Sequence, residues 1–299
     1  LLTVSFEQKA LISFPEWRTA MTFSVNTNEG ALKALQNLNK TNMKLQTVQT
    51  QINTGLKVAS TKDNAATWAI AQILRADVSG LNAARGSIDR ALSTLDVAVS
   101  AGEAVSDLLI EMKEKAVAAK DPGIDSASRT ALNNDFVQLR DQIQAIVRTA
   151  EFNGINAVGG PSPAAITAIT DSTGSSDNQI TVAAQDMSLG GTIVTVASDA
   201  TMTSAAEASS TLNLIEASLD NVNAALSRLG AGAKRLELQK AFTAKLSDAL
   251  EVGIGNLVDA DMAKASATLQ AVQVKQQLGL QALSIANQAP GSIISLFQG

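Results

Sequence analysis

The carboxylates that could do chemistry fall in two places. Glu111 and Glu114 sit three apart, a spacing at which two carboxyls of unequal pKa could divide acid and base roles. Lys113 and Lys115 stand beside them, and without a pocket to perturb either acid the four residues read as a solvated helix face. The second place is Asp171-Ser172-Thr173-Gly174-Ser175-Ser176-Asp177. As a calcium loop it lacks the alternating carboxylates and the closing acidic residue, so a hydrated turn is expected. Trp68, near Ile70 and Leu74, reads as a packing anchor rather than a ligand platform. The Ser and Thr residues of 162–204 could carry O-glycans, although exposed β loops have the same composition. The chain has no His and no Cys. That removes the commonest general base and the commonest metal ligand and leaves the redox compartment unread. No Gly-rich phosphate loop, metal-ligand cluster or nucleophile arrangement stands in the sequence. No enzyme, metal site or cofactor is expected.

Composition narrows the partners. The 299 residues carry a net charge of −5 with a pI near 4.9, which argues against nucleic acid and against an anionic membrane surface. No apolar run approaches the ~20 residues of a membrane span. Hydrophobic content is 45 %, but aromatics are only 3 % and Tyr is absent. Ala, Leu, Val and Ile build thin helix-on-helix seams rather than one thick core.

The longest seam organises the chain. Leu74, Leu81, Ile88, Leu95, Gly102, Leu109 and Ala116 recur every seventh position, with Ala84, Ala91, Ala98, Val105, Met112 and Ala119 between them. This is an a/d heptad, the period of a left-handed supercoil. Val78, Leu92 and Val99 widen the stripe, so the helix meets more than one partner. It runs to about Lys120, where Asp121-Pro122-Gly123 signals a turn, with Ser60, Thr61 and Asp63 as its N-cap candidates. A second helix over about Ser126–Ala150 carries Leu132, Phe136, Leu139, Ile143 and Val147, and its short connection folds it back on the first. Leu212, Ile215, Leu219, Val222, Leu226, Leu229, Ala233 and Leu236 make another seam, which Phe242, Leu246 and Leu250 continue with a shift in phase.

Between the arms lies a Ser/Thr/Gly-rich stretch. Gln179–Ala184, Thr192–Ala197 and, more weakly, Ala164–Thr170 alternate with period two and read as short strands. The two ends of the chain are polar helices with thin apolar ladders. Leu38, Leu45, Val48 and Ile52 form one, after an N-cap at Asn26-Thr27-Asn28, and Gly55 stops it. Gly253 and Gly255 loosen the chain before the other, which carries Val258, Met262, Ala265, Leu269, Val272 and Leu283 and ends near Pro290. Each has an exposed seam and no local partner, so the two are expected to pair. The fold class is mainly α: a long coiled-coil helical hairpin bundle, its N- and C-terminal helices paired, with a small β-hairpin insert in the middle. Residues 1–20 read as an extension outside the native fold, since charges interrupt every apolar run a secretory signal would need. Residues 21–55 with 256–299 form a terminal helical domain, 56–154 with 204–255 a coiled-coil domain, and 155–203 a small exposed β element.

At several positions the sequence resembles bacterial flagellin. Ser24-Val25-Asn26-Thr27-Asn28, Gly30-Ala31 and Leu35-Gln36-Asn37-Leu38 are similar to the family's opening and set Met21 at its first residue. Gly55-Leu56-Lys57-Val58-Ala59-Ser60 with Lys62-Asp63-Asn64-Ala65-Ala66 resembles its N-terminal signature, and Phe152-Asn153-Gly154 its helix-to-strand turn. Asn256-Leu257-Val258-Asp259-Ala260-Asp261-Met262-Ala263-Lys264, Gln276-Gln277-Leu278-Gly279 and Ala286-Asn287-Gln288 resemble its C-terminal block. The resemblance implies a filament subunit for motility, in a short form without large outer domains, with the terminal helices as an inner tube. It implies export unfolded through the flagellar type III apparatus with an export chaperone and no cleaved signal, an extracellular location, and hook-associated and cap proteins as neighbours. Many members of the family are read by an innate immune receptor through a helix face bearing Arg and Leu, and a departure at that face here is expected to leave receptor activation weak or absent. The aligned positions here are Glu111 and Lys115, a charge reversal and a loss of apolar contact.

Two thin polar helices bury too little apolar area to offset the ~1–2 kcal/mol of backbone entropy that each ordered residue costs. They need neighbours, which means polymerisation. The interface residues expected on this ground are Leu38, Leu45, Val48, Ile52, Met262, Leu269, Val272 and Leu283. The alternative reading is a cell-surface protein binding a glycan or host ligand through the insert, weakened by the absence of any aromatic residue there.

Overall fold

The computed structural model describes residues 27–159 and 163–296. The expectations for residues 1–20, Met21 and Ser24-Val25-Asn26 lie outside them. In order the elements are α1 (Glu29–Thr54), α2 (Ala65–Lys120), α3 (Ser126–Thr149), β1 (Ile166–Ile169), β2 (Gln179–Val182), α4 (Ala205–Val258) and α5 (Met262–Leu296). They form two compact units, one of residues up to 59 with those from 259 onward, the other of residues 60–258.

In the larger unit α2 runs 56 residues, roughly 84 Å. It begins nine residues before Leu74 because Asn64 is the N-cap: its side-chain oxygen accepts from the Thr67 N–H at 3.0 Å. Ser60 and Asp63, expected in that role, bond to each other instead, the Ser60 N–H reaching an Asp63 oxygen at 2.9 Å. The heptad rows form the core. Leu81, Ile88, Leu95, Gly102, Leu109 and Ala116 are buried, as are Ala84, Ala91, Ala98, Val105, Met112 and Ala119. Helix α4 lies antiparallel along them, with ion pairs Lys240–Asp89 at 2.6 Å and Lys113–Glu216 at 2.9 Å near opposite ends of the contact. Its buried row is Ile215, Val222, Leu229 and Leu236.

Helix α3 folds back on α2 and buries Phe136, Ile143 and Val147. Asp125 caps it, accepting from the Ser128 N–H at 2.7 Å, and the Ser128 hydrogen bonds hold that carboxyl below the usual carboxylate range. Arg129, one turn in, donates to the Ala119 and Asp121 carbonyls at 3.0 and 3.1 Å. These are orphan acceptors at the end of α2, so one guanidinium closes the helical hairpin.

The insert is a two-stranded antiparallel hairpin, with Ile166 opposite Val182 and Ile169 opposite Gln179. It is more buried than the exposed element expected from sequence: Ile166, Ala168, Ile180 and Val182 join the helical core. Two glycines permit the close approach. A Cβ on Gly80 of α2 would stand 2.5 Å from the Ser172 carbonyl oxygen, and one on Gly232 of α4 would stand 2.8 Å from a Val182 methyl. The third expected strand, Thr192–Ala197, forms only an isolated bridge between Leu189 and Val194. Its backbone bonds α4 instead: the Thr195 N–H donates to Ser218 Oγ at 2.9 Å and Asn221 donates to the Thr192 carbonyl at 3.2 Å. Ile193, Val194 and Val196 are buried there, so the apolar alternation serves packing rather than pairing.

Two helix ends differ from expectation. Gly253 and Gly255 stay inside α4, which continues to Val258 and buries Ile254 and Val258; burial on either side outweighs the ~1 kcal/mol helix penalty of each glycine. Helix α5 carries through Pro290 to Leu296. In the smaller unit α1 and α5 lie antiparallel. Asn28 meets Ala286, Gln276 donates to the Asn42 side chain at 2.8 Å, and the Ala260 N–H donates to the Gly55 carbonyl at 2.8 Å. Gly55 ends α1 with φ of 72°, a left-handed conformation that favours glycine.

The Gly80 contact is testable because the atoms met are backbone and cannot rotate away. Gly80→Ala should cost about 1–3 kcal/mol despite the better helix former, and lower the thermal midpoint of residues 60–258. A midpoint equal to or above that of the unaltered chain would show that the hairpin does not lie on α2 as described.

Candidate assembly interface

The eight expected interface residues all lie in the smaller unit, and they divide into three groups. Leu38, Val48 and Val272 are buried and hold α1 against α5. Leu45, Ile52, Leu269 and Leu283 are half-buried along the same seam. Met262 is 43 % exposed. The outward apolar face is a different set: Leu32, Leu35, Met43, Val274, Leu278, Leu280 and Ile285, the last 70 % exposed. The heptad reading found the inward seam and missed this face. Its signal was available in α5, where leucines and valines stand on more sides of the helix than one partner can cover.

Asn28 ties the two ends of this unit together. Its side-chain oxygen accepts from the Ala31 N–H at 2.9 Å and caps α1. Its amide donates to the Ala286 carbonyl at 2.6 Å. Ala286 is four residues before Pro290, and proline has no N–H to offer that carbonyl. One asparagine thus starts α1 and fills the acceptor that the proline leaves open in α5.

The same unit is basic within an acidic chain. Lys40, Lys44, Lys264 and Lys275 line a groove of about 490 Å³ between α1 and α5, with Thr41, Ala267, Thr268, Ala271 and Val272 and no carboxylate. Only Glu29, Asp259 and Asp261 carry negative side chains in residues 27–59 and 259–299. Glu29 is taken by Lys33, and Asp261 accepts from the Lys264 N–H at the start of α5.

The remaining candidates are on the larger unit. Glu111 is exposed on α2, and Lys115 is half-buried with its ammonium 3.9 Å from both Glu114 and Asp135. Asp171 takes three donors from its own loop, Thr173 at 2.5 Å, Asn178 at 2.8 Å and the Gly174 N–H at 2.9 Å. These bonds, that to Thr173 foremost, hold its carboxyl below the usual range and make it the brace of a turn. No helix among the described residues is long and apolar enough to cross a membrane. The insert spends its apolar side chains on the core, and nothing favours a ligand site on it.

Comparison with known proteins finds one family at both ends of the chain. Residues 25–162 match the bacterial flagellin N-terminal helical region and residues 212–297 the bacterial flagellin C-terminal helical region. The chain is 48 % identical to flagellin FljK of Caulobacter vibrioides, over 92 % of this chain and 98 % of that protein. It is 34 % identical to a flagellin of Brucella melitensis, over 92 % and 99 %. Among solved structures it shares a fold with a putative flagellar hook-associated protein from Vibrio parahaemolyticus, with a TM-score of 0.55 and 13 % identity over 66 % of this chain and all of that one. With coiled-coil arms, a small insert and an unsated apolar face on its terminal helices, the chain belongs to the bacterial flagellin family: it is a short structural subunit that polymerises into the extracellular flagellar filament for motility, and not an enzyme.

Proposed function

We propose that filament growth is the coupled folding and association of α1 and α5. The observation that carries this reading is the imbalance in the smaller unit. Among the described residues its buried apolar side chains are Leu38, Val48, Val58, Ala265 and Val272, while eight large ones are exposed, Met262 with the seven of the outward face. Ordering costs ~1–2 kcal/mol per residue, and full burial of a Leu or Val returns only about 1.5–3 kcal/mol. A lone pair of helices this polar gains too little, and neighbouring copies supply the missing cover. On this reading Leu38, Val48 and Val272 join α1 to α5. Leu45, Ile52, Leu269, Leu283 and Met262 extend the contact to other copies, together with the outward face. Residues 21–55 and 256–299 form the inner tube, 56–154 and 204–255 the coiled-coil layer, and 155–203 faces out.

The same marginal stability suits passage through the flagellar type III export apparatus unfolded and without a cleaved signal, an export chaperone covering the terminal apolar face meanwhile. Hook-associated and cap proteins offer matching helices at the two filament ends. At the receptor-facing surface of α2, Glu111 and Lys115 replace a donor and an apolar contact with the wrong charge and a half-buried ammonium that faces Glu114 and Asp135.

Three measurements check this. Hydrogen exchange in dilute monomer should be fast over 29–54 and 262–288 and should slow by orders of magnitude in filaments; full protection in the monomer contradicts the reading. Asn28→Asp keeps the cap and loses the bond to Ala286, whereas Asn28→Ala loses both, roughly 1 kcal/mol for each contact. Filament dissociation temperature should therefore fall in the order unaltered, Asn28→Asp, Asn28→Ala; identical temperatures would remove the link from the account. In reporter cells bearing the receptor the chain should be weak, and Glu111→Arg with Lys115→Leu should raise its response. A strong response from the unaltered chain would refute the receptor reading.

A further inference from the structure

We propose, building on the association of α1 and α5 with other copies, that Met43 and Met262 are oxidation sites of the unassembled chain, and that their sulfoxides stop it from joining a filament. The first observation is where the methionines stand. In the larger unit Met112, Met187 and Met202 are all 0 % exposed, whereas in the smaller unit Met43 is 60 % and Met262 43 % exposed. No methionine among the described residues lies between these extremes. Met112 belongs to the α2 seam. Met187 lies against Gly102, where an added Cβ would stand 3.1 Å from its methyl carbon, and its N–H donates to the Val158 carbonyl at 2.7 Å. The Met202 N–H donates to the Asn133 side chain at 2.6 Å. An oxidant reaches none of these three thioethers unless the core opens.

Met43 and Met262 are reachable in either state of the terminal helices. Paired, α1 and α5 expose both side chains; unfolded, they expose them further. Met43 lies on the outward line of Leu32, roughly three turns earlier in α1. Met262 opens α5 on the line of Leu280, roughly five turns later, and Leu280 is itself exposed. Both thioethers therefore belong to the apolar surface that neighbouring copies cover, where an unbranched, polarisable side chain adapts to what packs on it.

The second observation is chemical. The chain has no Cys, so no thiol competes and the thioethers are its softest nucleophiles. With hydrogen peroxide as oxidant the step balances. The sulfur donates an electron pair to one peroxide oxygen, the O–O bond breaks and an S–O bond forms. The transferred hydroxyl gives its proton to the departing hydroxide, which leaves as water. The sulfur is oxidised by two electrons and the peroxide reduced by two. The sulfoxide oxygen is a polar acceptor. In a subunit contact it is either buried unpaired or keeps its water and holds the neighbour off, and both outcomes weaken the contact. Because the reactive sites lie outside the coiled-coil unit, that unit keeps its fold while addition of the chain stops. Methionine sulfoxide reductases reverse the change.

Brief exposure of the full-chain monomer to hydrogen peroxide, followed by peptide mass mapping and seeded elongation, tests this. One oxygen should appear on Met43 and on Met262 at least about tenfold faster than on Met112, Met187 and Met202, and the critical concentration should rise about tenfold. In filaments given the same dose both sites should react about tenfold more slowly than in the monomer. The chain carrying Met43→Leu with Met262→Leu, compared with itself before exposure, should keep its critical concentration. Treatment with both epimer-specific methionine sulfoxide reductases should restore the oxidised unaltered chain without any substitution. Even oxidation of all the methionines, normal elongation of the oxidised chain, an equal loss in the leucine variant or no recovery after reduction would overturn the proposal. The reading of the terminal helices fails separately, by protected termini in the untreated monomer.

Discussion

A helix pair can bury only what its facing seam carries, and the architecture follows from how unequal the seams are. Along α2 and α4 the seam is dense: Ile88, Leu95, Leu109 and Met112 of α2 and Ile215, Val222 and Leu229 of α4 belong to one core with almost no solvent contact. Along α1 and α5 it is sparse, with Leu38, Val48 and Val272 separated by polar turns. The first seam folds within one chain. The second leaves an apolar debt on the outside that other copies of the chain can cover. Rigidity and assembly are thus assigned to different lengths of the same helical design.

Small residues decide what else can lie on the rods. Gly80 and Gly232 bring the hairpin within van der Waals contact of α2 and α4, and the insert thickens the coiled-coil core with Ile166, Ile180 and Val182 instead of standing away from it. Arg129, Asp125 and Asn64 settle the helix ends between. Each acts through backbone groups that a long helix leaves unpaired. In the smaller unit Asn28 serves both ends at once, because Pro290 vacates the carbonyl that it reaches.

Most of the helical plan was legible because heptads repeat over many turns. Nearly every position of the α2 seam is buried, and the short turn at Asp121-Pro122-Gly123 returns α3 to it. Single residues were less legible where tertiary contacts compete with local preference. Thr192–Ala197 has the alternation of a strand, but the Thr195 N–H finds Ser218, the Thr192 carbonyl Asn221 and the Val196 carbonyl the Gly190 N–H. Gly253 and Gly255 look like breakers, yet the apolar residues around them are buried and the helix persists. At the interface the inward ladder was readable. The outward set, Leu32, Met43, Leu278 and Ile285 among it, was hidden because periodicity reports one stripe and this helix pair has two faces to cover. The phase shift at Phe242 was visible in the sequence, but only the burial of Thr243 and Ser247 showed that it turns the apolar row outward.

The central claim is that α1 and α5, 26 and 35 residues long, become stable helices through association. Far-ultraviolet circular dichroism before and after seeded growth measures it directly. The account predicts a rise in helical signal on polymerisation equivalent to most of those residues, reversed on dissociation. A soluble monomer that already shows the full helical signal of the filament would contradict it.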